Sequence, residues 1–320
     1  MKRYFLKYMQ VLIVISCLFL AACDSSNPAD SSQIFPEGGY PLMIKAKVDG
    51  MKFTRSTADG MWEGSELVAV KDVTGGGTDF GRVKEYKADA SGVLSAEIPF
   101  VWQDAAEQKR IVAWYPYSEQ PPRVWEVKSD QYADDGNGYS VSDLLYAPAT
   151  DFTFDENRMT FYHQTARVVI NILRLETVNE KELLGVTIGD ETNPLLELKG
   201  TYACPEDGTT VGTWTLDKAH KGYIIPKQLS DPNIVSGNEC VASFVALVIP
   251  QNMDGKRFIA VETSDKVYYY TPEAGDAVLE AGKEYKYTIV VKDPSLTVVP
   301  SVSASWNGES EDIPGIEEVG

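Results

Sequence analysis

The chain predicts an all-β protein built from two antiparallel β-sandwich domains in tandem, and three observations predict it. Apolar and polar residues alternate with a period of two along most of its length, and clusters of Gly, Pro, Asn and Asp interrupt them at short intervals. No long segment carries the 3.6-residue period of an independent helix. Removal of residues 1–22 leaves 298 residues, more than one hydrophobic core usually organises, which argues for two domains.

The N-terminus is read first. Lys2 and Arg3 precede an apolar run from Val11 to Leu20 that is too short to span a bilayer, and Leu20-Ala21-Ala22-Cys23 follows. A basic head, a short apolar core and a small-residue box ending in cysteine have the form of a bacterial lipoprotein signal, with residues 1–22 as the signal peptide and Cys23 as the lipidated residue. An anchored precursor at the outer membrane is the expectation. The stretch Asp24 to Ser32 is polar and suits a flexible tether.

Strands are expected at Leu42 to Val48, Leu67 to Lys71, Ala96 to Trp102, Arg110 to Tyr115, Ala166 to Leu175, Gly212 to Leu216, Gly222 to Ile225, Cys240 to Ile249, Arg257 to Thr263, Val267 to Thr271 and Tyr285 to Lys292. Single helical turns are expected at Val141 to Tyr146 and Asn179 to Leu184. The apolar run from Ala166 to Ile172 reads as the first buried strand of the second domain. The expected organisation is therefore 23–55 as tether and N-terminal strand, 56–165 and 166–295 as the two domains, and 296–320 as a terminal strand with an acidic tail.

Charge and motif content exclude several functions. The formal net charge is −18 and becomes more negative once Lys2, Arg3 and Lys7 leave with the signal; a nucleic acid would be repelled. The two histidines, His163 and His220, are far apart and lie in no metal-binding spacing, and His163 reads as a hydrogen-bonded residue at a strand end. Gly75-Gly76-Gly77 lacks the Lys-Ser/Thr of a phosphate loop, no Gly-x-Ser-x-Gly elbow occurs, and Asp134-Asp135-Gly136-Asn137-Gly138 lacks the downstream acidic ligand of a calcium loop. No catalytic residue, metal or cofactor is indicated. Cys17 departs with the signal and Cys23 is acylated, so Cys204 and Cys240 either form a disulfide or remain two buried thiols.

The order of short motifs then resembles a known family. Thr54-Arg55-Ser56 precedes Trp62-Glu63-Gly64-Ser65-Glu66-Leu67; Ala113-Trp114-Tyr115-Pro116, Asp143-Leu144-Leu145-Tyr146-Ala147 and Phe161-Tyr162-His163-Gln164-Thr165-Ala166-Arg167-Val168 follow, with Gly282 to Ile289 and Ser305-Trp306-Asn307-Gly308 closing the set. This order is similar to that of the fimbrillin (Mfa-like) pilus proteins of Gram-negative anaerobes. The resemblance covers essentially the whole mature chain. It departs at Ser65, where the family more often carries a Gly-Asp pair. It implies two transthyretin-like β-sandwich domains, export as a lipoprotein, and trimming at an arginine by a trypsin-like protease, which here falls between Arg55 and Ser56.

The residues themselves fit such processing. Leu42, Ile44, Ala46 and Val48 alternate with Met43, Lys45 and Lys47 ahead of Arg55, so a cut there would free one half-buried strand and open a groove with unpaired backbone. Near the C-terminus Leu296, Val298, Pro300, Val302, Ala304 and Trp306 fall on one face by period. That segment is either a donor strand for a neighbouring subunit's groove or the last strand of its own domain. Three functional classes follow: a stalk or tip subunit of a cell-surface fimbria supporting adhesion, polymerised with other pilus subunits by strand addition; a surface glycan-binding lipoprotein or a membrane-anchor subunit that keeps its lipid; and an exported enzyme. The first accounts for signal, arginine and tail together, while the adhesion target is not written in the chain.

Overall fold

The chain enters the fold as two short strands, β1 (Tyr40–Pro41) and β2 (Ile44–Val48), in which Ile44, Ala46 and Val48 are buried and Lys45 and Lys47 exposed. This is the alternation expected of a half-buried strand. The computed structural model describes residues 38–50, 57–76, 79–132, 138–176, 182–306 and 311–312. Through residue 163 the strands are β3 (Leu67–Asp72), β4 (Val83–Ala88), β5 (Val93–Ser95), β6 (Val101–Trp102), β7 (Lys109–Tyr115), β8 (Val124–Glu126), β9 (Leu145–Phe152) and β10 (Arg158–His163). Seven of them close a barrel in the order β10-β2-β5-β4-β3-β7-β9, and β1 pairs with β6. Neighbours in the barrel are antiparallel except β2 and β10, which run parallel with Lys45 beside Arg158 and Val48 beside Phe161. Trp62 lies edge-on to Phe161 at 5.3 Å and donates its indole N–H to the Ala46 carbonyl, so β2 is held by side chains as well as by its ladder.

From Ala166 onward a six-stranded sheet is ordered β17-β20-β11-β23-β24-β25, from β11 (Ala166–Glu176), β17 (Lys227–Gln228), β20 (Ala242–Val248), β23 (Glu284–Lys292), β24 (Ser295–Ser303) and β25 (Glu311–Asp312). A three-stranded sheet of β12 (Leu183–Ile188), β21 (Ile259–Thr263) and β22 (Val267–Tyr270) shares its core, which includes Val168, Ile170, Ile188, Ile259 and Tyr287. β20 is buried at every position, because both of its faces are covered, and it reads as a continuous apolar run. β14 (Lys199–Ala203) lies between β15 (Thr213–Leu216) and β8; β13 (Leu196–Glu197) pairs with β16 (Lys221–Gly222), and β18 (Ile234–Val235) with β19 (Asn238–Glu239).

The all-β class is as expected, and several elements differ. Only Val101–Trp102 of the segment from Ala96 is a strand; Pro99 and the exposed Ile98 occupy its approach. The helical turn falls at α1 (Gly138–Val141), not at 141–146, since Leu144 to Ala147 are all buried and Leu145 begins β9. Leu183 and Leu184, expected in a turn, belong to β12, while residues 177–181 lie outside the described residues, as do Asp134 to Asn137.

Three buried glutamines complete ladders that the backbone leaves open. Gln131 donates from Nε2 to the Leu247 carbonyl at 2.8 Å and accepts the Leu247 N–H at 2.9 Å, reproducing a two-bond bridge on β20. Gln251 does the same for Glu197, and Gln164 donates to Thr210 while accepting the Gly212 N–H. Such groups satisfy buried backbone that would otherwise be desolvated without a partner. Gln131→Leu should therefore lower unfolding stability by about 1–3 kcal/mol, measured by urea denaturation, because the N–H and C=O of Leu247 lose their partner inside the protein.

Candidate processing and assembly site

The sequence on either side of Arg55 is anchored. Val48 ends β2, Asp49 donates its N–H to the Phe161 carbonyl at 2.8 Å, and Gly50 turns the chain with φ +77°. Gly50 has a steric reason to be glycine: a Cβ there would overlap the carbonyl of Trp306. Arg55 and Ser56 lie outside the described residues, as does Cys23. The chain resumes in a 3₁₀ turn, Thr57–Asp59, whose first two residues are buried.

That turn is pinned by charge. The Asp59 carboxylate accepts from Arg167 Nη2 at 3.2 Å and from the Tyr139 hydroxyl at 3.2 Å, and Lys227 Nζ stands 4.0 Å away. Tyr139 also makes a 2.9 Å hydrogen bond to the Ala58 carbonyl. Arg167 turns its other nitrogen toward Glu284 at 3.4 Å, and Glu284 meets Lys286 at 3.0 Å. Burial alone would lower the Arg167 pKa, but the surrounding groups, Tyr139 and the carboxyls of Glu284, Asp59 and Asp143, outweigh it and the net shift is upward. Burial holds the Tyr139 hydroxyl well above its ordinary range, so it serves as a neutral donor.

Beside this network His163, the last residue of β10, bonds Asp143 at 3.0 Å through Nδ1, and its ring stacks on Trp306 with centroids 3.3 Å apart and planes 10° from parallel. The Arg167 guanidinium lies 5.7 Å from the same indole, and Trp306 shares an apolar cluster with Ala58, Tyr139, Val169, Val245 and Leu247. Residues from positions 50, 58, 143, 163, 167, 284 and 306 thus converge on one junction. His163 is the hydrogen-bonded strand-end residue expected. Its partners Asp143, Arg167 and Trp306 all sit in the motifs noted above, yet period and spacing do not reveal that they meet.

The tail differs from its expected pattern. β24 pairs with β23 in its own chain over nine positions, from Glu284 opposite Ser303 to Lys292 opposite Ser295. Leu296, Val298 and Val302 are half-buried against the core, but Ser303 is buried and Ala304 exposed, so the alternation breaks after Val302. Trp306 is buried at the junction, beyond the end of β24, and not on its face. The possible Cys204–Cys240 disulfide is not formed: both are free thiols. Cys204 follows β14 and packs near Ala69, Val112, Trp114 and Tyr146, while Cys240 precedes β20 and bonds the Asn233 carbonyl through its N–H. Burial pushes both thiols up, which keeps them protonated.

A cleft of about 410 Å³ opens beside Thr57, between Glu63, Glu66, Tyr115, Tyr117 and Val141. The Glu66 carboxylate accepts backbone N–H groups of Glu63, Gly64 and Ser65. Partial burial, then the neighbouring Glu66 charge, raises the Glu63 pKa.

A family model described as fimbrillin-like matches residues 54–306, a span that opens one residue before Arg55 and closes on Trp306. Among solved structures, a candidate cell adhesion protein from Bacteroides uniformis aligns with a TM-score of 0.52 and 16% identity over 82% of this chain and 98% of that one. A second, from Bacteroides ovatus, aligns with a TM-score of 0.53 and 15% identity over 87% and 99%. At these identities the likeness is one of fold. No curated protein matches the chain.

Two outcomes follow from the junction's electrostatics. Arg167→Met leaves Asp59 and Glu284 without their shared cation and should cost about 3–5 kcal/mol in urea denaturation. Glu63 binds its proton more tightly folded than unfolded, so its ionisation destabilises the fold as pH rises through the raised pKa, and the effect is absent below the unfolded value of about 4.3. Glu63→Gln should accordingly raise the Tm at pH 7, and the gain should shrink to nothing as the buffer is taken below about pH 4. An equal gain at both pH values would assign it to something other than ionisation.

Proposed function

The chain belongs to the fimbrillin-like family, and from that membership we propose that it is a structural stalk or tip subunit of an adhesive cell-surface fimbria, exported on a lipid at Cys23, cut after Arg55 and polymerised by strand addition. The observation that carries the reading is β2. It is a complete barrel strand that lies wholly before Arg55, so one cut in the connection at 51–56 would detach β1 and β2 together.

Their departure would uncover the facing edges of β10 and β5 and the apolar side chains beneath Leu42, Ile44 and Val48. Burial of those three side chains is worth about 1.5–3 kcal/mol each, so about 5–9 kcal/mol gross, and the vacated groove would offer the same to an incoming strand. β24 is the proposed donor. It carries Leu296, Val298 and Val302 on one face, and among the described residues the only strand beyond it is the two-residue β25. Ala304 and Trp306 extend the donor segment past β24. The partners on this reading are other pilus subunits, with the membrane engaged only through the lipid before processing. No catalytic role is assigned.

The experiment is the N-terminal residue of protein recovered from cells and from sheared filaments. Ser56 should begin the filament form, and Arg55→Ala should leave the chain beginning at acylated Cys23 and exclude it from filaments. Cys23→Ala should abolish partitioning into detergent, since a single polar chain without acyl groups has little membrane affinity. Wild-type filaments that retain Cys23 would instead identify a membrane-anchor subunit, and absence from filaments altogether would leave a surface lipoprotein.

A further inference from the structure

Trp306 engages both sides of the connection that carries Arg55. Its carbonyl lies against Gly50, the last described residue before that connection, where a side chain would not fit. Its indole shares an apolar cluster with Ala58, in the turn that follows. One face of the ring is covered by His163, whose strand β10 is the parallel neighbour of β2, and Arg167 stands off at cation–π distance. The side chain is 1% exposed, the most completely buried of the tail residues described after β24.

The strand just before it is held less firmly by its own side chains. β24 has only two buried positions, Pro300 and Ser303, and its other residues are half-buried or exposed. Its nine-residue ladder with β23 supplies hydrogen bonds, yet among the described residues its outer edge pairs only with β25. Trp306 is therefore the terminal segment's one large buried anchor, and part of its surroundings belongs to the segment ending at Gly50.

We propose that Trp306 is a clasp: while β2 is in place it holds β24 in its own sheet, and removal of the segment ending at Gly50 loosens it and frees β24 for exchange. The inference rests on the reading that the chain is cut after Arg55, and it adds the coupling between the two ends. Withdrawal of Gly50 bares one side of the Trp306 backbone to water, so ordering of Ala304 to Trp306 is matched by less burial. In the barrel β10 and β5 lose β2 as a neighbour, whereas the central strands β11 and β20 keep both of their ladders. A clasp of this design keeps the tail docked in the anchored precursor, where a released apolar strand would pair with any exposed sheet edge.

Hydrogen exchange followed by mass spectrometry on the whole exported chain, uncut and cut after Arg55, tests it. Amides of residues 295–303 should exchange about tenfold faster or more after the cut, with β11 and β20 unchanged. Trp306→Leu in the uncut chain should produce the same acceleration, and cutting that variant should add little, because both changes remove one interaction. Gly50→Ala keeps the indole but displaces its backbone, and should accelerate the same amides from a position some 250 residues away in sequence. Equal exchange of 295–303 in cut and uncut wild type, or no effect of Trp306→Leu, overturns the proposal. Should cells not cut after Arg55, the processing reading fails, while Trp306→Leu and Gly50→Ala in the uncut chain still decide the clasp.

Discussion

The buried guanidinium of Arg167 is the constraint on which the junction depends. It lies on the second residue of β11, directly after the barrel's last strand, and it answers Asp59 on one side and Glu284 on the other. A single cation facing two carboxylates leaves little freedom: the turn after Arg55, the start of β11 and the start of β23 must all arrive in one geometry. A buried ion network of this kind contributes little net stability over an apolar equivalent, because the desolvation of its members offsets much of their attraction. Its effect is positional. Lys227 and Lys286 add cations at the outer margin of the same two carboxylates.

Local pattern revealed the fold class and the strands whose burial follows it. β2, β7, β11 and β23 stood out because apolar residues recur on one face, and β20 because both faces are apolar. β4 was not legible for the opposite reason: Lys84, Glu85 and Lys87 crowd around the two side chains it buries, Tyr86 and Ala88, and its place is set by the strands beside it. β9 was not among the expected strands: a helical turn was expected over its first residues, and it carries Pro148 between β7 and β10. The roles of Gln131, Gln164 and Gln251 were not legible, since nothing in sequence tells a solvated amide from one that stands in for a strand.

The candidate site was legible in its parts but not in its assembly. Trp306 was assigned to the apolar face of the tail by counting in twos from Leu296, and the count holds only to Val302. The strand ends at Ser303, the chain bends at Ala304 and Ser305, and the phase changes, so Trp306 turns to a different cluster. The contacts of His163 with Trp306 and of Asp59 with Arg167 join residues more than a hundred positions apart, and period and spacing carry no information at that range. The thiols teach the same lesson: two cysteines left over once Cys17 and Cys23 are assigned to a signal are a pair by arithmetic, and only the fold places one after β14 and the other before β20.

If strands are exchanged as proposed, topology favours β2 and β24 for it. Every internal strand of the barrel is joined to the chain at both ends, so its removal would require two cuts and would break the connection to its neighbour. β2 has no hairpin to either partner: β10 lies more than a hundred residues downstream and runs parallel to it, and β5 follows after β3 and β4. Its register is therefore set by the burial of Ile44, Ala46 and Val48 and by the ladder, not by a turn, and a replacement strand with the same alternation would satisfy the same groups. β24 is the complementary case, tied by a hairpin to β23 on one side and nearly free on the other. β24 is held by that turn, by its nine-position ladder with β23 and by Trp306 beyond it, so on the proposed exchange it gives up this ladder for another. In that proposed exchange, the strand to be replaced precedes the other long barrel strands and the strand to be donated follows the central strands β11, β20 and β23.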